Sequence, residues 1–152
     1  MLKEGAKAPA FTLPNQDGQK ISLKNFIGKK VVLYFYPKDM TSGCTKEACD
    51  FRDHIKLFHN KDVVVLGVSP DSVQSHKKFQ LKYNLPFDLL SDESKKVLEK
   101  YGVWKEKSMY GKKYFGVERT TFIIDENGKI KKIFPRVKVN GHIKEVLEAL
   151  ED

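Results

Sequence analysis

Two apolar runs constrain this chain most: KKVVLYFYP at 29–37 and DVVVLGVSP at 62–70. Each is rich in β-branched or aromatic residues, continuous rather than alternating, and ended by proline. Such a run suits a strand covered on both faces. Between them, CTKEACDFRDHIKLFH (44–59) spaces Cys44, Ala48, Phe51, Ile55 and Phe58 by three and four, the period of an amphipathic helix. Strand, helix and parallel strand make a crossover unit, which commits the chain to a sheet with helices packed on it.

The remaining segments extend this pattern. SVQSHKKFQLKYN (72–84) reads as a second helix anchored by Val73, Phe79 and Tyr83, FDLLSD (87–92) as a short strand, and SKKVLEKYGV (94–103) as a helix closing at Gly102. RTTFIIDENGKIKKIF (119–134) is two strands turning at Asn127-Gly128, and HIKEVLEAL (142–150) is a final helix. FTLPNQDGQKISL, near the start, forms a small hairpin turning at Asp17-Gly18. The expected order is hairpin, β-α-β-α-β-α, then β-β-α. That order describes an α/β fold with a mixed central sheet, flanking helices and an N-terminal β-hairpin extension. At 152 residues one domain, 1–152, is expected.

Composition narrows the function. No segment has the apolar length of a membrane span, and the N-terminus lacks a signal-peptide core. Two cysteines are too few for a secreted disulfide scaffold, so a reducing cytosol is expected. The net charge of +8 raises nucleic-acid binding as a reading. The lysines, though, are spread from Lys3 to Lys144 and alternate with acids, as on a solvated surface. Nucleic-acid binding therefore ranks last, while a cationic surface can still dock an acidic protein partner.

Both cysteines lie in PKDMTSGCTKEAC, five positions apart at Cys44 and Cys49. Cys44 follows a buried strand and opens a helix, where unpaired amides and the helix dipole favour an anion. A thiol there should ionise readily, and the thiolate is the nucleophile. Thr41 and Ser42 offer hydroxyls as helix caps or hydrogen-bond partners, and Glu47 is read as a first-turn acid suited to the dipole. The plainer reading of Cys44 is a small buried apolar residue; the shaped Pro-Thr-Ser-Gly flank argues against it. Cys49 reads either as a second reactive thiol or as a bystander on the helix surface. On an intact helix their Cα atoms lie about 8.7 Å apart, beyond the ~7 Å limit of a disulfide. If they bond, the helix start must unwind. Zinc is a poor alternative, because His54, His59, His76 and His142 show no ligand spacing.

Pro37-x-x-x-Thr41-x-x-Cys44 resembles the active-site motif of peroxiredoxins. The wider stretch YFYPKDMTSGCTKEACDFRD is similar to the bacterioferritin comigratory protein, or peroxiredoxin Q, subgroup, whose resolving cysteine typically lies five positions on, as Cys49 does. The likeness runs from GAKAPAFTL through VLGVSPDS and WKEKSMYGKKYFGVERTTFIID to the last helix. It implies a thioredoxin-like fold and a peroxidase needing no metal, haem or flavin. Cys44 would attack hydrogen peroxide or an organic hydroperoxide, and Cys49 would resolve the sulfenic acid as a disulfide. A thioredoxin or glutaredoxin-like reductant would restore both thiols. Thr41 would orient thiolate and peroxide, Pro37 would shield the site from water, and Arg119 would stabilise the thiolate and the leaving oxygen. The subgroup commonly has proline where this chain has Ser42. Tyr36 and Trp104 are weaker candidates for the approach to Cys44, and Arg52 for a second electrostatic contact. A monomer is expected. The alternative is a peroxide sensor or redox relay that hands its disulfide to a protein partner.

Overall fold

The structure is a computed structural model that describes residues 2–151. Its centre is a five-stranded sheet whose order, edge to edge, is β5 (Asp88–Ser91), β4 (Val63–Ser69), β3 (Lys30–Phe35), β8 (Thr120–Ile124) and β9 (Ile130–Phe134). β3, β4 and β5 run parallel, whereas β8 and β9 are antiparallel to their neighbours. β1 (Thr12–Pro14) pairs with β2 (Lys20–Ser22) as the expected N-terminal hairpin. Sheet and helices together make the thioredoxin-like α/β fold expected from the sequence.

β3 shows why an unbroken apolar run was needed. Val31, Leu33 and Phe35 enter one core cluster, while Val32, Tyr34 and Tyr36 enter the other. Successive strand residues point to opposite faces, and here both faces are covered. The second cluster packs under α1 (Ser42–Asp53), α2 (Ile55–Asn60), α3 (Val73–Tyr83) and α5 (His142–Leu150), through Ala48, Phe51, Phe58, Phe79 and Val146. The first is covered by α4 (Lys96–Lys100) and the N-terminal segment, through Leu98, Phe11 and Leu13. Among the described residues no helix is long and apolar enough to cross a membrane.

Two expectations are corrected. The helix expected over 44–59 is two helices, broken at His54 (φ −113°, ψ 11°), whose Nδ1 meets the Asp50 carbonyl at 2.8 Å. The bend keeps both Phe51 and Phe58 in the core. A hairpin of β6 (Trp104–Met109) and β7 (Lys112–Val117) also appears where no strands were expected. Its residues are mostly exposed, so no apolar alternation marks it. Its local signal is Tyr110-Gly111, both at positive φ (52° and 78°), the backbone of a tight hairpin turn.

Candidate active site

β3 stops at Phe35 rather than at Pro37, and the chain then turns into α1. Tyr36 is still held by the sheet, its N–H donating to the Val68 carbonyl at 3.0 Å. Pro37 is half-buried and Thr41 is the N-cap residue, extended at φ −75°, ψ 156°. Neither hydroxyl caps the helix, contrary to one expectation. Thr41 Oγ1 donates back to the Lys38 carbonyl at 2.8 Å, and Ser42 is already the first helical residue. The Thr45 N–H to the Thr41 carbonyl, at 2.9 Å, opens the helix ladder. The amides of Ser42, Gly43 and Cys44 precede it, where a helix leaves its N–H groups without intrahelical acceptors.

Cys44 is the third residue of α1 and 1% exposed. Arg119, in the short link between β7 and β8, reaches it: Nη2 donates to Cys44 Sγ at 3.3 Å. Nη1 of the same guanidinium donates to Glu47 Oε1 at 2.6 Å. Sulfur and carboxylate thus share one fork of donors, the arrangement for which arginine is better suited than lysine. Gly43 leaves room for it, since a Cβ there would sit 3.3 Å from Arg119 Nη2. Burial works against the Arg119 charge, but Glu47 and Cys44 outweigh it and hold its pKa above the ordinary value.

Glu47 corrects a further expectation. It lies past the first turn, 1% exposed, and serves Arg119 rather than the helix dipole. Burial pushes its carboxyl up to about 7, against the pull of Arg119. Its Oε2 has no hydrogen-bond partner among the described residues.

Cys49 is half-buried on the same helix, and both cysteines are free thiols. Burial raises its pKa, opposed by the nearby Arg52 charge. Arg52 itself bonds Asp53 Oδ1 at 2.9 Å and the Tyr83 carbonyl at 2.8 Å, so it ties α1 to the end of α3. Tyr36 is fully buried, with its hydroxyl bonded to Asp39 Oδ1 at 2.6 Å, so it supports the loop instead of lining an approach. Trp104 packs on the cluster of the opposite sheet face and stacks on Phe115. The structure therefore brings Cys44 and Arg119 together with Thr41 and Pro37 one loop upstream, and adds Glu47. A carboxylate at this spacing from a cysteine is a recognisable signal only once a distant arginine is known to arrive.

A thioredoxin-like sheet that delivers a cysteine to a helix start, under an arginine, is the build of a peroxiredoxin. The chain belongs to the AhpC/TSA family, whose model matches residues 5–133. It is similar to peroxiredoxin Bcp of Bacillus subtilis, 51% identical over 99% of this chain and 96% of that one. To peroxiredoxin Bcp of Escherichia coli K12 it is 46% identical, over 99% and 97% of the two chains. Among solved structures it resembles the Xanthomonas campestris bacterioferritin comigratory protein, seen in trapped intermediate and ligand complexes that bear on that protein's alkyl peroxide reduction. The TM-score is 0.92 and the identity 38%, over 98% of both chains. A cysteine-to-serine variant of Xylella fastidiosa peroxiredoxin Q superposes with a TM-score of 0.94 at 35% identity, over 99% of this chain and 96% of that one.

Proposed function

We propose that this chain is a thiol peroxidase that reduces hydrogen peroxide and organic hydroperoxides, with Cys44 as nucleophile and Cys49 as resolving thiol. The observation that carries the reading is the Arg119 Nη2 to Cys44 Sγ contact at 3.3 Å, at the start of a helix. A guanidinium and a helix N-terminus beside one sulfur favour negative charge on it and on an oxygen leaving next to it.

The chemistry runs in three balanced steps. Cys44 thiolate attacks the terminal, hydroxyl-bearing oxygen of the peroxide, the O–O bond breaks, and the departing alkoxide takes a proton: RS⁻ + R′OOH + H⁺ gives RSOH + R′OH. The Cys49 thiol then displaces water from the sulfenic acid and forms the Cys44–Cys49 disulfide. A dithiol reductant of the thioredoxin or glutaredoxin type exchanges with that disulfide and leaves both cysteines reduced. Arg119 steadies the thiolate and the departing oxygen. Thr41, next to the helix start, orients the peroxide, and Pro37 limits water at the sulfur. Both cysteines sit on one helix of one domain, so the cycle needs no second copy of the chain. The cytosol, where disulfides are reduced, is the compartment that suits it.

Intact mass after one equivalent of peroxide tests the reading. A loss of about two hydrogens supports the disulfide route, with no such loss in Cys44→Ser. Undiminished reductant-coupled peroxide turnover in Cys44→Ser would overturn it.

A further inference from the structure

Asp39 is buried in the turn between β3 and α1, and its N–H and both carboxylate oxygens are bonded, to Tyr36 close by and to Asp71, Ser75 and His76 across the fold. Its N–H donates to Asp71 Oδ2 at 2.8 Å. Its Oδ1 accepts from the Tyr36 hydroxyl at 2.6 Å, and its Oδ2 accepts from Ser75 Oγ at 2.8 Å. The same Oδ2 faces His76 Nδ1 at 2.7 Å. His76 is fully buried on α3, and its Nε2 meets the Leu90 carbonyl at 3.0 Å. Both ring nitrogens of His76 thus face oxygen atoms, one on a carboxylate and one on a carbonyl. Asp39, Asp71 and His76 have the donor set of a cation site. Their facing atoms are occupied by Tyr36, Ser69 and Ser75, so the cluster works as a clamp.

What it clamps is strained. Met40, the next residue, is non-glycine at φ 68°, and Thr41 after it is the N-cap of α1. A side chain in the left-handed region persists where its surroundings over-determine it, often beside a functional site. Cys44 follows one helical turn later.

We propose that Asp39, held by His76, is a positioning residue for the peroxidase reaction: the pair fixes the turn through Met40 and so sets where α1 delivers Cys44 beneath Arg119. The proposal rests on the peroxidase reading of Cys44. A wild-type chain inert to peroxide would overturn that reading, whereas the clamp is tested by variants measured against an active wild type.

The test is stopped-flow oxidation of Cys44 by hydrogen peroxide, well below the melting temperature, in Asp39→Asn and in Asp39→Asn combined with Met40→Gly. Asn keeps the shape but cannot accept the same set of bonds. Misplacing the thiol by a fraction of an ångström to 1 Å predicts an oxidation rate constant lower by about ten- to a hundredfold. Glycine adopts φ 68° without strain, so the double variant should recover part of that loss. A purely structural role would lower the melting temperature and leave this rate unchanged. A folded Asp39→Asn oxidised at the wild-type rate would overturn the proposal, as would a loss that Met40→Gly does not reduce. If Asp39→Asn fails to fold, Ser75→Ala removes one bond of the clamp and should slow oxidation a few-fold; an unchanged rate there overturns it equally.

Discussion

Arg119 and Cys44 stand 75 positions apart in the chain and 3.3 Å apart in the fold, with Nη2 of one donating to Sγ of the other. The contact is possible because β8 pairs directly with β3, Thr120 against Phe35, at the end of the sheet where α1 begins. Two adjacent strands thus present their ends to one helix start, one carrying the loop to Cys44 and the other carrying Arg119.

Replacing that guanidinium removes a fixed donor and a positive charge from the reacting sulfur. Arg119→Met should lower the second-order rate of Cys44 oxidation by about a hundred- to a thousandfold, the usual cost of losing a charge-stabilising donor. Arg119→Lys should recover part of the charge effect but not the fork, because one ammonium cannot match both Sγ and Glu47 in plane. Stopped-flow peroxide kinetics on the two variants checks the order wild type, Lys, Met.

Glu47 makes stability depend on pH. Its folded-state pKa of about 7 lies above the 4.5 of a free carboxyl, because burial outweighs the attraction of Arg119. The native state therefore binds this proton more tightly than the unfolded chain does. The resulting stabilisation is complete below about pH 4.5 and is lost as pH rises through about 7. The span between the two values corresponds to at most about 3 kcal/mol. Urea melts of wild type and Glu47→Gln at matched pH values should differ by a slope confined to that window. A constant difference from pH 4 to pH 8 would contradict the burial argument.

The disulfide cannot form on an intact α1, where five residues of helix separate the cysteine Cα atoms by about 8.7 Å. Ala48 and Phe51 are buried in the core on the same helix, which limits how far it can open. Amide exchange should therefore be slow over 45–53 in the reduced protein. After oxidation it should quicken through 44–49 and stay slow from Phe51 onward. Equal protection in both redox states would rule out the unwinding.

Tyr34 stacks on Phe51 with ring centroids 4.6 Å apart, yet its buried hydroxyl has no hydrogen-bond partner among the described residues. Gly67 faces that ring on β4, where a Cβ would come within 2.9 Å of it. Tyr34→Phe keeps the packing and removes an uncompensated polar group, so it should stabilise the fold by about 1 kcal/mol. Gly67→Ala should destabilise it by about 1–3 kcal/mol through overpacking. Thermal melts of the two variants should move in opposite directions.

Much of this architecture is legible in local pattern. The last helix spans His142–Leu150, as the sequence reading has it, and the Asn127-Gly128 turn sits between β8 and β9. The break at His54 was not legible, because Ile55 and Phe58 continue the three-and-four spacing of α1 across it. Neither was the β6–β7 hairpin, whose exposed residues carry no burial signal. The resemblance supplied Arg119, which by itself reads as a charge at a strand edge. Glu47 looked like a first-turn acid because distance along the chain says nothing of the arginine that buries it. His76 looked like one histidine among four, since its partner Asp39 lies 37 positions away.

The sequence by itself determined a two-faced β3, a parallel crossover to β4, and a cysteine pair whose spacing forbids a bond within a regular helix. Those properties follow from side-chain periodicity and backbone geometry, which act over a few residues. The tertiary structure alone decided which groups reach the sulfur, which carboxylate shares its arginine, and which buried pair steadies the turn before it. Each of these contacts joins elements brought together by sheet order and packing, and burial then sets how strongly their charges act.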